Sequence, residues 1–143
     1  QFLSKTTGQQ AAIQLFKIDV DSFDLLEHRF VRLKPVEDGP ILNPSFYESL
    51  YQNKDLRLFV KHSKNRIERK GDRFVYYEFA DLKKQYVLFY KNAYYNLNSK
   101  KDFGEALGID KKELKRLYKK TKRGNKNQDI FMVELIKQIV RVQ

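Results

Sequence analysis

Residues 99–143 read SKKDFGEALGIDKKELKRLYKKTKRGNKNQDIFMVELIKQIVRVQ, and this stretch decides the fold. Its apolar residues recur at helical spacing around a dense basic hinge. Ser99 offers a hydroxyl to a free amide of a first helical turn, and Asp102 stands at the third helical position, where a carboxylate suits the positive end of the helix dipole. This helix is short and ends near Gly108. Asp110 repeats the arrangement, with Glu113 three residues on completing a capping-box-like pair before Leu114, Leu117 and Tyr118 form an apolar stripe. Gly124 and Asn125 break the second helix. Asp129 opens a third, in which Ile130, Val133, Ile136 and Val140, with Leu135 and Ile139 beside them, predict a broad buried face.

Upstream of Ser99 the periodicity shifts from helical to alternating. Residues 1–10 read as a flexible lead-in, and AAIQLFKIDV and LLEHRFVRLK then alternate apolar and polar positions as half-buried strands do. Asp38, Gly39 and Pro40, followed by Asn43 and Pro44, mark an excursion between strands. SFYESLY, LRLFVKHS, RFVYYEFA and QYVLFY follow as compact strands, with AYYNL as a fifth after a Lys91-Asn92 turn. Asn53-Lys54-Asp55 and Lys70-Gly71-Asp72 carry the chemistry of tight reversals. Strands first and helices last predict an α+β fold: an antiparallel β-meander sheet followed by a C-terminal set of two to three helices packed on it. The expected organisation is one domain over 11–143, mainly strands over 11–97 and mainly helices over 99–142.

A chain of 143 residues folds as one ordinary domain, burying roughly two thirds of its unfolded surface without disulfides or a structural metal. With 41% hydrophobic and 14% aromatic residues and three prolines, the chain is too apolar for a disordered segment. Cysteine is absent, which removes disulfides, thiol nucleophiles and thiolate metal sites. No apolar run is long enough to span a bilayer. The start at Gln1 fits either a trimmed chain or a mature form whose signal peptide has been removed.

The charge is uneven. Residues 1–72 carry 12 basic and 10 acidic side chains and residues 73–143 carry 17 and 8, so +9 of the net +11 lies in the second half. Lys111 to Arg123 holds eight basic residues against Glu113 alone. Lys111, Lys112, Lys115, Arg116, Lys119, Lys120, Lys122 and Arg123 therefore form the expected partner-binding patch, attractive to acidic protein surfaces, phosphates or anionic lipid heads. The same residues also complement a helix C-terminus and keep a helical tail soluble, which needs no partner.

Catalytic chemistry is thinly provided. His28 and His62 are the chain's two histidines, the residue type suited to proton transfer near neutral pH, and each sits where a surface or edge position is the plainer reading. The carboxylate pairs Asp19/Asp21 and Glu37/Asp38 fall in strand ends or turns. There is no Gly-rich phosphate loop, serine elbow or acidic metal loop. The expectation is no enzyme, no catalytic residue, no cofactor and no metal. Tyr76, Tyr77, Tyr86, Tyr90, Tyr94 and Tyr95 cluster in sequence beside Lys83, Lys84 and Lys91, and Tyr90, Tyr94 and Tyr95 are the expected aromatic contacts if exposed. Core packing with the hydroxyl reaching water is the competing reading, and the stronger.

From Phe46 onward, the order of an LRLFVKHSK-like strand, a YVLFYKNAYYNLNSKKDF run, a GIDKKELKRLYKK-like helix and a terminal FMVELIKQI-like helix resembles small exported proteins of Bacteroidota with no assigned activity. The resemblance is one of texture and order over the last two thirds of the chain, and transfers no catalytic residue. It implies a periplasmic or exported location after signal-peptide cleavage, with a cytoplasmic one as the alternative, and an accessory role in a cell-envelope, outer-membrane protein assembly. The functional expectation is a non-enzymatic interaction or scaffolding protein, docking through its basic helical hairpin and a sheet edge. The alternative is a nucleic-acid-binding module in which residues 111–123 contact phosphates and exposed tyrosines stack bases.

Overall fold

The alternation upstream of Ser99 builds a six-stranded antiparallel sheet with three helices laid on one face. The computed structural model describes residues 2–3, 10–11, 19–37, 39–71, 74–79, 83–125 and 127–142. Ten strands occur among them: β1 (Phe2–Leu3), β2 (Gln10–Ala11), β3 (Ser22–Leu25), β4 (His28–Leu33), β5 (Ser45–Gln52), β6 (Leu56–Ser63), β7 (Arg66–Lys70), β8 (Val75–Phe79), β9 (Lys83–Tyr90) and β10 (Ala93–Asn96). The helices are α1 (Lys100–Leu107), α2 (Lys111–Gly124) and α3 (Gln128–Val142). The main sheet runs β10-β9-β6-β5-β4-β3, while β1–β2 and β7–β8 pair separately. The α+β layout is the one the order of elements predicts.

Local chemistry explains most of the reversals. The Asn53 side chain accepts from the amides of Asp55 and Leu56 at 2.9 and 2.8 Å, closing the β5–β6 turn. Lys91 and Asn92 both take positive φ (48° and 62°), as a two-residue type I′ reversal requires. The run LLEHRFVRLK, expected as one strand, instead spans a hairpin: β3 ends at Leu25, Leu26 adopts φ 56°, and β4 starts at His28. Phe23 stacking on Phe30 (4.9 Å) and edge-on to Phe46 (5.0 Å) gives a cross-strand reason for this turn, which lacks glycine or proline. A second departure is β7, RIERK, a strand that carries no apolar alternation and forms only by pairing with β8. Most of AAIQLFKIDV lies outside the described residues, as do Asp38 and Asp72; residues 1–10 contribute the short pairing of Phe2–Leu3 with Gln10–Ala11.

The helix signals hold with three adjustments. Ser99 and Asp102 form a reciprocal capping box, and Gly108 closes α1 at φ 65°, where a side chain would be strained. Asp110 caps α2 by accepting from the amides of Lys112 and Glu113, but Glu113 turns its carboxylate to Arg116 instead of completing a box. Asn127, not Asp129, receives the first amides of α3, those of Asp129 and Ile130 at 2.8 and 3.3 Å. The buried face of α3 is also rotated from expectation: Phe131, Met132, Leu135, Ile136 and Ile139 are buried, while Ile130 is exposed. Asp129 is tied to the sheet, which turns its neighbour Ile130 outward.

The sheet separates two apolar clusters. On the helix side, Leu56, Leu58 and Val60 of β6 and Tyr86 and Leu88 of β9 meet residues of all three helices. On the other face, Leu33, Ile41, Tyr47, Phe59 and Val87 form a smaller cluster, with Ile41 of the Pro-containing excursion folded in as a lid. This two-sided burial explains why LFV in β6 and YVL in β9 are continuously apolar.

Candidate functional site

The basic patch is built by amphipathicity. Leu114, Leu117 and Thr121 face inward, the Thr121 hydroxyl donating to the Leu117 carbonyl at 2.9 Å, and Tyr118 meets Phe131 edge-on at 4.9 Å. With one face of α2 fixed this way, the 3.6-residue period places Lys111, Lys112, Lys115, Arg116, Lys119, Lys120, Lys122 and Arg123 outside, and all eight are exposed. Arg116 pairs with Glu113 one turn back; that pairing holds the Glu113 carboxyl below its ordinary value and raises the guanidinium. The other seven make no ion pair among the described residues. Lys100 on α1 adds a cation nearby, its ammonium 4.2 Å from the centre of the Tyr118 ring. The result is an exposed surface of one sign along α2, attractive to an opposite charge.

The tyrosines distribute differently. Tyr90, Tyr94 and Tyr95 are half-buried on the last hairpin of the sheet; Tyr90 and Tyr95 pack toward the helix-side cluster and Tyr94 toward the other, tilted against Phe89 at 4.8 Å. Tyr86 is buried. Tyr76 and Tyr77 are exposed on β8, in the separate hairpin.

One constellation escapes the sequence. Glu48 lies on the helix-side face of β5, opposite Phe30 on β4 and Val60 on β6. His28 and His62 stand two residues along from those partners, so alternation puts all three side chains on one face. Nδ1–H of His28 donates to one Glu48 oxygen at 2.6 Å and Nε2–H of His62 to the other at 2.5 Å. Glu48 is only 8% exposed, and with both oxygens bonded the carboxylate ties three strands together. A second knot adjoins it: Lys84 and the Tyr86 hydroxyl donate to the two oxygens of Asp129 at 2.5 and 2.6 Å, joining β9 to the start of α3. Burial alone would raise the Asp129 carboxyl, but these two hydrogen bonds and the Lys84 charge hold it below its ordinary value. Burial, then the bond to Asp129, pushes the Tyr86 phenol far above its ordinary range. The signal for Glu48 was present in SFYESLY, where a lone carboxylate falls in phase with Phe46 and Leu50; nothing local named its partners.

Among the described residues no group of three or more histidine, cysteine, aspartate or glutamate side chains is placed to hold a metal ion, and no helix is long and apolar enough to cross a membrane. No family model, curated protein or solved structure matches this chain.

Proposed function

We propose that this protein is a non-enzymatic docking module that engages an acidic protein partner through the cationic face of α2, as an accessory of a cell-envelope assembly. The observation that carries the reading is the set of seven exposed lysine and arginine side chains on α2 that have no carboxylate partner among the described residues, displayed on a helix whose other face is locked into the core. Such a surface speeds and orients encounter with an opposite charge. The edge strand β3, with all four residues exposed, offers a second contact. The resemblance to small exported Bacteroidota proteins supports placing the partner in the envelope. Tyr90, Tyr94 and Tyr95 are half-buried and divided between the two faces of the sheet, so they offer no open stack for bases, and the exposed Tyr76 and Tyr77 lie on the separate β7–β8 hairpin; this favours a protein partner for α2 over single-stranded nucleic acid.

The test is a charge reversal, Lys112→Glu with Lys119→Glu and Lys120→Glu, compared with the unaltered protein in native co-purification at low and high salt after nuclease treatment. Relief of like-charge crowding along α2 leaves the helix intact, checked by circular dichroism. The expected result is a defined set of envelope proteins recovered with the unaltered chain and lost with the variant. Retention of that set by the variant, or recovery of nucleic acid in its place, would sink the reading.

A further inference from the structure

Between α1 and α2 lies a cleft of about 680 Å³. Its floor is apolar, formed by Gly104, Ile109 and Leu114, and its rim carries Lys100, Lys101, Lys111 and Lys115. The one carboxylate at the rim, Glu105, is held by Lys101 at 3.1 Å. Lysine stems add apolar wall while their ammonium groups stay in water. Gly104 leaves room in that floor: it sits inside α1 with ordinary helical geometry, and a Cβ there would meet only the Ile109 carbonyl oxygen, at 3.7 Å, so a larger side chain would extend into the cleft. Glycine inside a helix is less favourable than alanine, so this position carries a local cost where a side chain would narrow the cleft.

We infer that this cleft seats an apolar side chain of an acidic protein segment, anchoring the partner that the cationic face of α2 attracts. The inference rests on the docking reading and deepens it. Charge complementarity selects the occupant: four lysines around an apolar floor fit a bulky hydrophobic residue flanked by carboxylates, the anchor supplying affinity and the rim supplying orientation.

The experiment uses two fluorescent peptides and anisotropy titration. One carries a central phenylalanine–leucine pair flanked by glutamates; the other replaces that pair with serines. The expected result is that the unaltered protein binds the anchored peptide about tenfold more tightly than the serine peptide, and that Gly104→Leu, which fills the cleft, removes this advantage while leaving the serine peptide unchanged. Equal affinity for both peptides, or an undiminished advantage in Gly104→Leu, overturns the inference while binding of the serine peptide keeps the docking reading standing. Failure of both peptides counts against both. Should Gly104→Leu not fold, a photoreactive benzoylphenylalanine at the anchor position decides: crosslinks to the α1–α2 residues support the seat, and crosslinks elsewhere overturn it. Binding to phosphatidylglycerol vesicles without binding to the anchored peptide would assign the cleft to lipid and also overturn it.

Discussion

At the scale of single residues, Glu48 is the most consequential side chain in the sheet. A carboxylate flanked by Phe30 and Val60 is tolerable only because two imidazoles satisfy it. Removing partners and removing the charge should therefore differ. His28→Ala combined with His62→Ala strands a buried acceptor and is expected to destabilise by about 2–4 kcal/mol. Glu48→Leu takes the charge away, and the freed His28 ring, 57% exposed, returns to water; the expected loss is smaller than that of the double histidine variant. Urea unfolding of the three proteins checks the order, and a larger loss for Glu48→Leu would show that the carboxylate contributes something beyond its own satisfaction. The histidines and the glutamate were each visible in the sequence, but separations of 20 and 14 residues gave no hint that they converge.

At the scale of elements, the attachment of α3 to β9 depends on Asp129. Lys84 and Tyr86 meet it where the helix begins, so the bond fixes both the position and the rotation of the helix. Its carboxyl is depressed in the folded protein. A depressed group contributes stability that is fully present above the unfolded value of about 3.9 and is lost as pH falls below it through the folded value. Asp129→Asn is expected to destabilise at neutral pH by about 1–3 kcal/mol, and the gap between variant and unaltered protein should close below about pH 4. Chemical denaturation at pH 7 and at decreasing acid values measures this; a gap that stays constant with pH would place the effect in helix packing and not in the charge. The helices themselves were legible because caps and stripes act within one or two turns, whereas the rotation of α3 depends on a lysine and a tyrosine on a distant strand.

At the scale of the whole molecule, the β7–β8 hairpin stands apart. Every residue of 66–71 and 74–78 is exposed, and its internal ties, Arg69 to Glu78 at 3.0 Å and Arg66 over the Tyr77 ring at 4.4 Å, are its own. The sheet continues without it, since β6 pairs with β9 from Leu56 opposite Tyr90 to Ser63 opposite Lys83. Replacing residues 64–82 with an Asn-Gly turn should therefore leave Tm within about 5 °C, which for a domain of this size is on the order of 1 kcal/mol. Thermal unfolding decides, and a fall of more than about 15 °C would mean that the hairpin supports the core.

What the sequence determined by itself was the class of fold, the helix starts at Ser99 and Asp110, the Lys91-Asn92 and Asn53 reversals, and the single sign of α2's outer face. All of these follow from spacings of two to four residues, the range over which backbone period, capping and turn chemistry operate. The tertiary structure alone decided that LLEHRF folds back at Leu26, that RIERK pairs as a strand, that Asp129 faces the sheet, and that Gly104 lines a cleft between two helices. It also decided that His28 and His62 share Glu48. Each of these depends on register and packing between separate elements, which no spacing of two to four residues encodes, and within a sheet one residue of slip moves every side chain to the other face.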